Sequence, residues 1–282
     1  MENINWYPGH MKKTRTLIRE NLKMVDAVVE IRDARIPLSS RNPVISELTG
    51  DKPRIILLNK ADLADENEGA RWVEHLRAEN AQALLMNSMQ GQGTASLLAA
   101  MERMKKRRQG NRADRPFRSM VVGIPNVGKS SFINRMTGRK SAKTGDRPGV
   151  TKGKQWLTMN NGMQLLDTPG ILWPKFEDPR VGLHLAFCGA IKDEIMDAAT
   201  LGLELIRSLS QNYPALLAAR YKLETVEDDP LTCMEDIARK RGFIMRGGRI
   251  DYERCARTLL DEFRAAKIGR ITLEHVEDEA EA

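Results

Sequence analysis

The stretch Gly123-Ile124-Pro125-Asn126-Val127-Gly128-Lys129-Ser130-Ser131 decides the fold of this chain. It follows the apolar run 120–122 and precedes residues 131–136, which favour a helix. A strand, a glycine-rich turn and a helix start fit the pattern G-x-x-x-x-G-K-[ST] of a phosphate-binding loop. Glycines let the backbone wrap an anion, and the N–H groups at the helix N-terminus point toward it. We therefore predict that Lys129 contacts the β- and γ-phosphates of a nucleotide and that Ser130 binds Mg²⁺.

Length and charge limit the class of protein. The chain has 282 residues, enough for one large domain or two ordinary ones, and its net charge of +7 indicates an acidic partner such as nucleic acid. We find no apolar run of membrane-spanning length, and residues 1–5 do not resemble a signal peptide. Cys188, Cys233 and Cys255 are widely spaced, which predicts reduced, buried thiols in a cytoplasmic protein.

Apolar runs alternate with helical segments over the first 170 residues. This alternation is typical of a doubly wound, mostly parallel α/β sheet. In such sheets ligands bind at the carboxyl ends of the strands, and every motif below follows a predicted strand. We therefore expect the motifs to converge on one site. The predicted strands are 24–31, 54–58, 83–86, 120–122 and 164–166, with helices at 68–78 and after residue 93. The opening segment 6–11 predicts a turn, and a basic helical stretch follows it.

Beyond about residue 178 the pattern changes to helices only. The apolar spacing i, i+3, i+4, i+7 within 195–209 and 252–263 predicts amphipathic helices. The acidic tail 274–281 is expected to fray. We therefore divide the chain into an α/β domain over 1–175 and an all-α domain over 176–282.

The motif Asn59-Lys60-Ala61-Asp62 follows the second predicted strand and matches N-K-x-D. An Asp62 carboxylate accepts hydrogen bonds from N1–H and the exocyclic amine of guanine, and adenine lacks that donor pair. Asn59 would brace the surrounding loops, and the Lys60 stem would cover the base. Asn87-Ser88 lies where a loop contacts guanine O6 through a backbone N–H. Without the phosphate loop, N-K-x-D would be read as a strand-end turn with a capping Asp.

The motif Asp167-Thr168-Pro169-Gly170 follows the last predicted strand and matches D-x-x-G. Asp167 would hold Mg²⁺ through water, and the Gly170 N–H would sense the γ-phosphate. Thr151 lies between the two phosphate motifs, where a threonine completes the Mg²⁺ shell. Together these motifs predict a GTP-binding site.

The motifs resemble those of the translation-factor-like GTPases, but they occur in an unusual order. The guanine motifs at 59–62 and 87–88 come before the phosphate motifs at 123–131 and 167–170. The part over 1–175 therefore looks like a circularly permuted Ras-like GTPase domain with a basic N-terminal segment.

Two further segments narrow the resemblance. With Tyr7-Pro8-Gly9-His10-Met11, Asp33-Ala34-Arg35-Ile36-Pro37 and an all-helical C-terminal part, the chain is similar to the ribosome biogenesis GTPase A family of bacteria. That resemblance implies GTP hydrolysis stimulated by the ribosome during late maturation of the large (50S) subunit. The partners it implies are ribosomal RNA (rRNA) and ribosomal proteins, and 176–282 would bind the ribosome.

The resemblance also implies an unusual catalytic arrangement. Ile171 stands where many GTPases place the glutamine that orients water, and His10 is implied as its replacement. Alternatively, His10 packs in a turn and rRNA completes the site. Asn126 matches the position that helps bind K⁺ in potassium-dependent relatives; otherwise it only shapes the loop.

The candidate site can now be stated in full. The catalytic candidates are His10, Lys129, Thr151, Asp167 and Gly170, and the Mg²⁺ ligands are Ser130, Thr151 and Asp167. The residues expected to bind GTP or GDP are Asn59, Lys60, Asp62, Asn87, Ser88, Asn126, Val127, Gly128, Lys129, Ser130, Ser131, Thr151 and Gly170.

Basic residues are concentrated at 103–118 and 139–154. A solvated face is one interpretation, and contact with rRNA phosphates is the one we favour for a basic chain. The connection 172–178 leads from the D-x-x-G motif to the helical domain, so loss of the γ-phosphate could reorient that domain. We expect a monomer that binds the 50S precursor with GTP and leaves after hydrolysis.

Two other classes of protein remain open. A passive RNA-binding scaffold with a vestigial nucleotide site is disfavoured by the intact Lys129, Ser130, Thr151 and Asp167. An ATPase or small-molecule kinase is disfavoured by Asp62.

Overall fold

The computed structural model describes residues 8–78, 81–108, 115–138, 155–170, 172–173, 176–191 and 197–281, with backbone only for 8–14, 155 and 280–281. A six-stranded sheet forms its centre. The strands are β1 (Ala27–Asp33), β2 (Arg54–Asn59), β3 (Gln82–Leu85), β4 (Arg118–Gly123), β5 (Gln155–Thr158) and β6 (Gln164–Asp167).

The sheet order is β3-β2-β1-β4-β6-β5. All neighbouring pairs are parallel except β5 with β6, which is antiparallel. The predicted doubly wound, mostly parallel sheet is confirmed. Strand β5 was not predicted: it has four residues with two apolar side chains, as β6 has, but it lies at the sheet edge and no motif follows it.

Five helices accompany the sheet in the described part of residues 1–175. Two of them differ from the prediction. The opening turn is wrong from Pro8 onward, because this proline begins α1 and proline suits the first helical turn. Helix α2 was not predicted; Asn42 caps it by accepting from the N–H of Val44. The helices are α1 (Pro8–Leu22), α2 (Pro43–Thr49), α3 (Glu66–Ala78), α4 (Thr94–Lys106) and α5 (Lys129–Thr137).

The predicted helical part is also confirmed. Aspartates cap four of its helices by accepting a backbone N–H of the first turn, which fixes where these helices start. Helix α7 packs against α9 and α10. The helices are α6 (Pro179–Phe187), α7 (Ala198–Asn212), α8 (Pro214–Tyr221), α9 (Pro230–Arg241) and α10 (Tyr252–Arg264), followed by a 3-10 helix (Val276–Glu281).

The acidic tail is ordered, so the expected fraying is wrong. Glu274 is buried, and its carboxylate accepts from the N–H groups of Leu38 at 2.6 Å and Ser39 at 3.0 Å. Its carboxylate also lies 2.7 Å from Nδ1 of His184. Trp72 Nε1 donates to the Glu274 carbonyl at 2.8 Å. The acidic groups have partners in the α/β half, and sequence pattern alone does not reveal them.

One hydrophobic core crosses the expected domain boundary. It contains Val121 of β4 and Ile133 of α5 together with Leu205 of α7 and Phe263 of α10. The α/β part before residue 175 and the all-α part after it therefore share one core. A domain boundary at this residue stays a prediction. Within the described ranges, no helix combines the length and apolar character needed to cross a membrane.

Candidate nucleotide-binding site

The carboxyl ends of the central strands lie at one edge of the sheet. In the register, Asp33 at the end of β1 lies beside Asn59 at the end of β2. Gly123 of β4 lies beside Ile31, and Asp167 of β6 lies beside Val121. The chain leaves β1 toward β2 and β3 and returns at β4 on the other side of β1, and this reversal creates a crevice that ligands occupy in open α/β sheets.

The turn between β4 and α5 is built around glycines. A Cβ at Gly128, which has φ +94°, would lie 2.4 Å from Nδ2 of Asn59. A Cβ at Gly123 would lie 2.5 Å from the carbonyl oxygen of Ile31. Asn126 is also left-handed, with φ +59°. The close approach of these loops therefore requires glycine, and the turn leads directly into the N-terminus of α5.

Lys129 begins α5 and is buried. Its Nζ donates to the carbonyls of Gly123 at 3.1 Å and Ile124 at 2.7 Å. Burial lowers the pKa of Lys129 to about 8, although the negative charge of Asp167 opposes that shift. A Cβ at Gly170 would lie 2.8 Å from Nζ, so the D-x-x-G motif and the phosphate loop meet at this ammonium group.

Asn59 joins three of the predicted motifs. Its Nδ2 donates to the Val127 carbonyl at 2.7 Å. Its Oδ1 accepts from Ser88, from the backbone N–H at 3.1 Å and from Oγ at 2.8 Å. The two halves of the motif set, reversed along the chain, are therefore held together by one buried side chain, in the bracing role that the sequence predicts for it.

The loop after β3 is shaped by Asn87. Its buried Oδ1 accepts from the N–H groups of Met89 and Gln90, both at 3.0 Å. Since the Ser88 N–H is donated to Asn59, Ser88 holds the loop in place. The contact from this loop to guanine O6 stays a prediction.

Asp33 lies next to the candidate site, but the sequence analysis used it only as part of the segment 33–37 that supports the family resemblance. It is buried and accepts from Arg35 at 2.9 and 2.8 Å, and the Lys60 ammonium lies 2.9 Å from the same carboxylate. Burial would raise the pKa of Asp33, but the charges of Arg35 and Lys60 hold it well below its usual range. Lys60 of the N-K-x-D motif is thus held from β1, while Asp62 is exposed. The position of Asp33 at a strand end was the only sequence signal.

Some of the remaining predicted residues lie in the described part of the chain, and others lie outside it. Asp167 and Thr168 are buried, and Thr168 Oγ1 donates to the Val121 carbonyl at 2.6 Å. Asn126 faces the helical part, where its Nδ2 donates to the Gly189 carbonyl at 2.7 Å. Thr151, Ile171 and the side chain of His10 lie outside the described residues.

Three arginines of the first basic run already have partners in the fold. Arg108 and Arg115 pair with the buried Asp26 at 3.4 and 2.8 Å. Arg118 lies over the Trp156 ring, 4.8 Å from its centroid. A buried carboxylate needs such compensation, so Arg108 and Arg115 have a structural role, and contact of the basic run with rRNA stays a prediction.

Comparison with known proteins agrees with the geometry. The family model described as "50S ribosome-binding GTPase" matches residues 118–225. Ribosome biogenesis GTPase A of Bacillus cereus is 44% identical over 281 residues, covering 98% of this chain and 95% of that protein. Its counterpart in Thermotoga maritima is 32% identical over 275 residues, covering 98% and 95%.

Solved structures give the same result. The GDP-bound structure of TM YlqF has a TM-score of 0.69 and 30% identity, covering 93% of this chain and all of that chain (100%). GNP-bound YlqF from T. maritima has a TM-score of 0.65 and 29% identity, covering 93% and 98%. With its motif order, its sheet and these relatives, the chain belongs to the ribosome biogenesis GTPase A family and is a GTPase.

Proposed function

We propose that the chain hydrolyses GTP to drive late assembly of the large ribosomal subunit in the cytoplasm, binding the 50S precursor with GTP and leaving after hydrolysis. The observation that carries this proposal is the pair of hydrogen bonds made by Asn59. One joins it to Val127 of the phosphate loop and the other to Ser88 of the guanine loop. One nucleotide can then contact both halves of the permuted motif set. The names of the relatives, which are ribosome biogenesis GTPases, support the assignment to ribosome assembly.

Each motif has a role in this proposal. Asp62 reads guanine, and the stem of Lys60 covers the base. The N–H groups of 126–131 bind the phosphates, and Lys129 turns from its two carbonyls toward them. A buried ammonium that donates to neutral oxygens gains from a phosphate anion, because Asp167 offsets only part of the cost of burying its charge.

A divalent cation fits the residues at the phosphate end. The hydroxyl of Ser130 and the buried carboxylate of Asp167 are oxygen donors of the kind that Mg²⁺ prefers. We assign both as ligands, with Thr151 as the third. When bound, Mg²⁺ neutralises charge that develops on the phosphates.

The catalytic water and a monovalent cation complete the proposal. We assign His10 the orientation of the attacking water, since Ile171 has no polar group. Because Asn126 donates its Nδ2 to Gly189, its side-chain oxygen is the atom we assign to K⁺.

The partner of the GTP-bound form is the 50S precursor. Exposed basic residues at the end of α4, Arg103, Lys106 and Arg107, are suited to phosphate contact. The Gly189 contact of Asn126 supports coupling between the phosphate loop and the helical part, because it links the two directly.

The test measures phosphate release from GTP with and without 50S particles, in KCl and in NaCl. We expect the particles to stimulate release, more strongly in KCl, and we expect Lys129→Ala to abolish it. Lys240→Ala, an exposed position on α9, is the matched control for GTP binding. A passive scaffold would give no particle-stimulated release, and equal sedimentation with particles in the GTP and GDP forms would exclude the release step.

A further inference from the structure

A C-terminal segment holds the loop that carries Asp62. Residues 270–272 follow α10 and lie against residues 61–65, which follow β2. The contacts are hydrogen bonds to the loop backbone. They join Arg270 Nη2 to Ala61 O (3.0 Å), Arg270 Nε to Ala64 O (2.8 Å), Ile271 N to Leu63 O (3.1 Å) and Asp65 N to Thr272 Oγ1 (3.1 Å).

The loop also has anchors outside the C-terminal segment. It leaves the sheet at Asn59 and turns at Lys60, whose φ of +60° is left-handed. The Ala61 N–H donates to the Met86 carbonyl at 3.1 Å, which fixes the start of the loop. Asp62 itself is exposed. Beyond Ala61, the Leu63 N–H donates to the Lys60 carbonyl at 2.9 Å and Ala64 is buried. The C-terminal segment adds the donors and the acceptor that hold the backbone around Asp62 from outside the loop.

The segment is itself anchored firmly. Tyr213 donates its hydroxyl hydrogen to the Thr272 carbonyl at 2.8 Å and accepts from the Thr272 N–H at 3.2 Å. The Leu273 N–H donates to the Arg35 carbonyl at 2.8 Å, and Ile271 is buried. The helical part thus fixes the position of the loop, whereas hydrogen bonds from the loop to solvent water would leave it free to move.

We propose that Arg270, Ile271 and Thr272 are positioning residues of the guanine site and set its base specificity. This inference rests on the proposed role of Asp62 as the group that reads guanine. The two hydrogen bonds that a carboxylate accepts from a base require a fixed backbone, because small displacements weaken both bonds together. If the loop can shift, Asp62 can adjust to a base other than guanine, and the preference for guanine becomes smaller.

Arg270 is the residue on which the idea can be tested. Its side chain is 45% exposed, and its ion pair with Glu66 is at the surface, so its removal leaves the core intact. Its planar guanidinium donates to two carbonyls of the loop at once, which an ammonium group cannot do in the same geometry. Loss of this guanidinium should therefore loosen the loop without unfolding the protein.

The readout is the ratio of the affinities for GDP and IDP. Inosine lacks the exocyclic amine of guanine, so the ratio reports one hydrogen bond of Asp62 and is insensitive to the phosphates. We expect Arg270→Met, which keeps the stem and removes the donors, to lower this ratio roughly three- to tenfold, the range for one weakened hydrogen bond. Arg270→Lys should give an intermediate value. Thr272→Val removes the acceptor for the Asp65 N–H and should lower the ratio as well.

Three controls make the result decisive. Arg257→Met removes an exposed arginine of α10 that pairs with Glu253 of the same helix, and it should leave the ratio at the parent value. Asp62→Ala should lower the ratio to about one, and adding Arg270→Met to it should lower it no further. Thermal unfolding of each variant shows whether the fold has weakened.

The outcomes separate this inference from the proposed function. If Asp62→Ala lowers the ratio while Arg270→Met and Thr272→Val keep the parent value, the positioning role is wrong and guanine reading by Asp62 stands. Equal losses of GDP and IDP affinity in Arg270→Met would also overturn the positioning role, since they indicate general destabilisation. If Asp62→Ala leaves the ratio unchanged, the role of Asp62 fails and the inference fails with it.

Discussion

The ammonium group of Lys129 is buried on two backbone carbonyls, and burial lowers its pKa to about 8. Bound phosphates would favour the charged form and raise this pKa. Above pH 8, GDP binding therefore takes up a proton, and the affinity falls by roughly tenfold for each further pH unit. Below pH 8 the group is charged in both states, so the affinity should be constant.

Calorimetry of GDP binding between pH 7 and pH 9 checks this prediction. Titrations at pH 8.5 in buffers with different ionisation enthalpies should reveal the uptake of a proton. An affinity that stays flat to pH 9 would mean that the phosphates do not face Lys129.

Single residues could be assigned a role from the sequence where a motif fixes both identity and spacing. Lys129 and Asp62 belong to patterns that few other sites share. Arg270 and Asp33 could not be assigned in this way, because their partners are far along the chain or belong to another strand. A lone arginine or aspartate has no spacing that reveals such contacts.

Gly128 of the phosphate loop can be compared with Gly162, which lies in the turn between β5 and β6. Gly128 and Gly162 both have left-handed backbones, but only a Cβ at Gly128 would collide, 2.4 Å from Asn59 Nδ2. We expect Gly128→Ala to weaken GDP binding by about tenfold or more, because the collision separates Asn59 from the loop. Gly162→Ala, with open space around it, should keep the affinity.

Fluorescence titration with a labelled GDP measures both variants. The role given to Asn59 fails if the two substitutions have equal effects on affinity. Equal losses would show that backbone strain alone, and not the contact with Asn59, matters at Gly128.

Elements were predictable where a long apolar run or a clear period marks them. Strands β1, β2 and β4 have such runs, and the amphipathic helices of the C-terminal part have such periods. Strand β5 has four residues and no motif after it, whereas β6 is equally short but leads into the D-x-x-G motif; helix α2 has only seven residues. Helix α1 was partly mistaken for a turn because Pro8 and Gly9 are turn residues that also tolerate a helix start.

The acidic tail, residues 274–281, packs against the α/β half of the protein. Glu274 is buried and accepts from the N–H groups of Leu38 and Ser39. Glu274→Ala would leave these donors unpaired, so we expect it to lower the free energy of unfolding by about 2 kcal/mol. Glu277→Ala, which removes an exposed partner of Arg71, should change it by less than about 0.5 kcal/mol.

Urea denaturation of the two variants provides the measurement. Similar stabilities of Glu274→Ala and the parent would show that the tail is not held as described. The sequence could not predict this docking, because a run of acidic residues looks the same whether it is solvated or paired with distant groups.

At the scale of the whole molecule, the order of the motifs identified a permuted domain that the sheet confirms. The shared core and the returning tail were not foreseen, since both depend on contacts between distant parts of the chain. The hydrogen bonds from Asn126 to Gly189 and from Arg270 to Ala61 place the helical part against the phosphate loop and the loop that carries Asp62.

The central claim is that two reversed halves of the chain form one pocket for a single guanine nucleotide. A crystal structure of this protein with GDP and Mg²⁺ tests it most directly. We predict guanine within hydrogen-bonding distance of the Asp62 carboxylate and the β-phosphate on the N–H groups of 126–131, on the same molecule of GDP. A phosphate group on that turn with the base directed away from Asp62 would contradict the account.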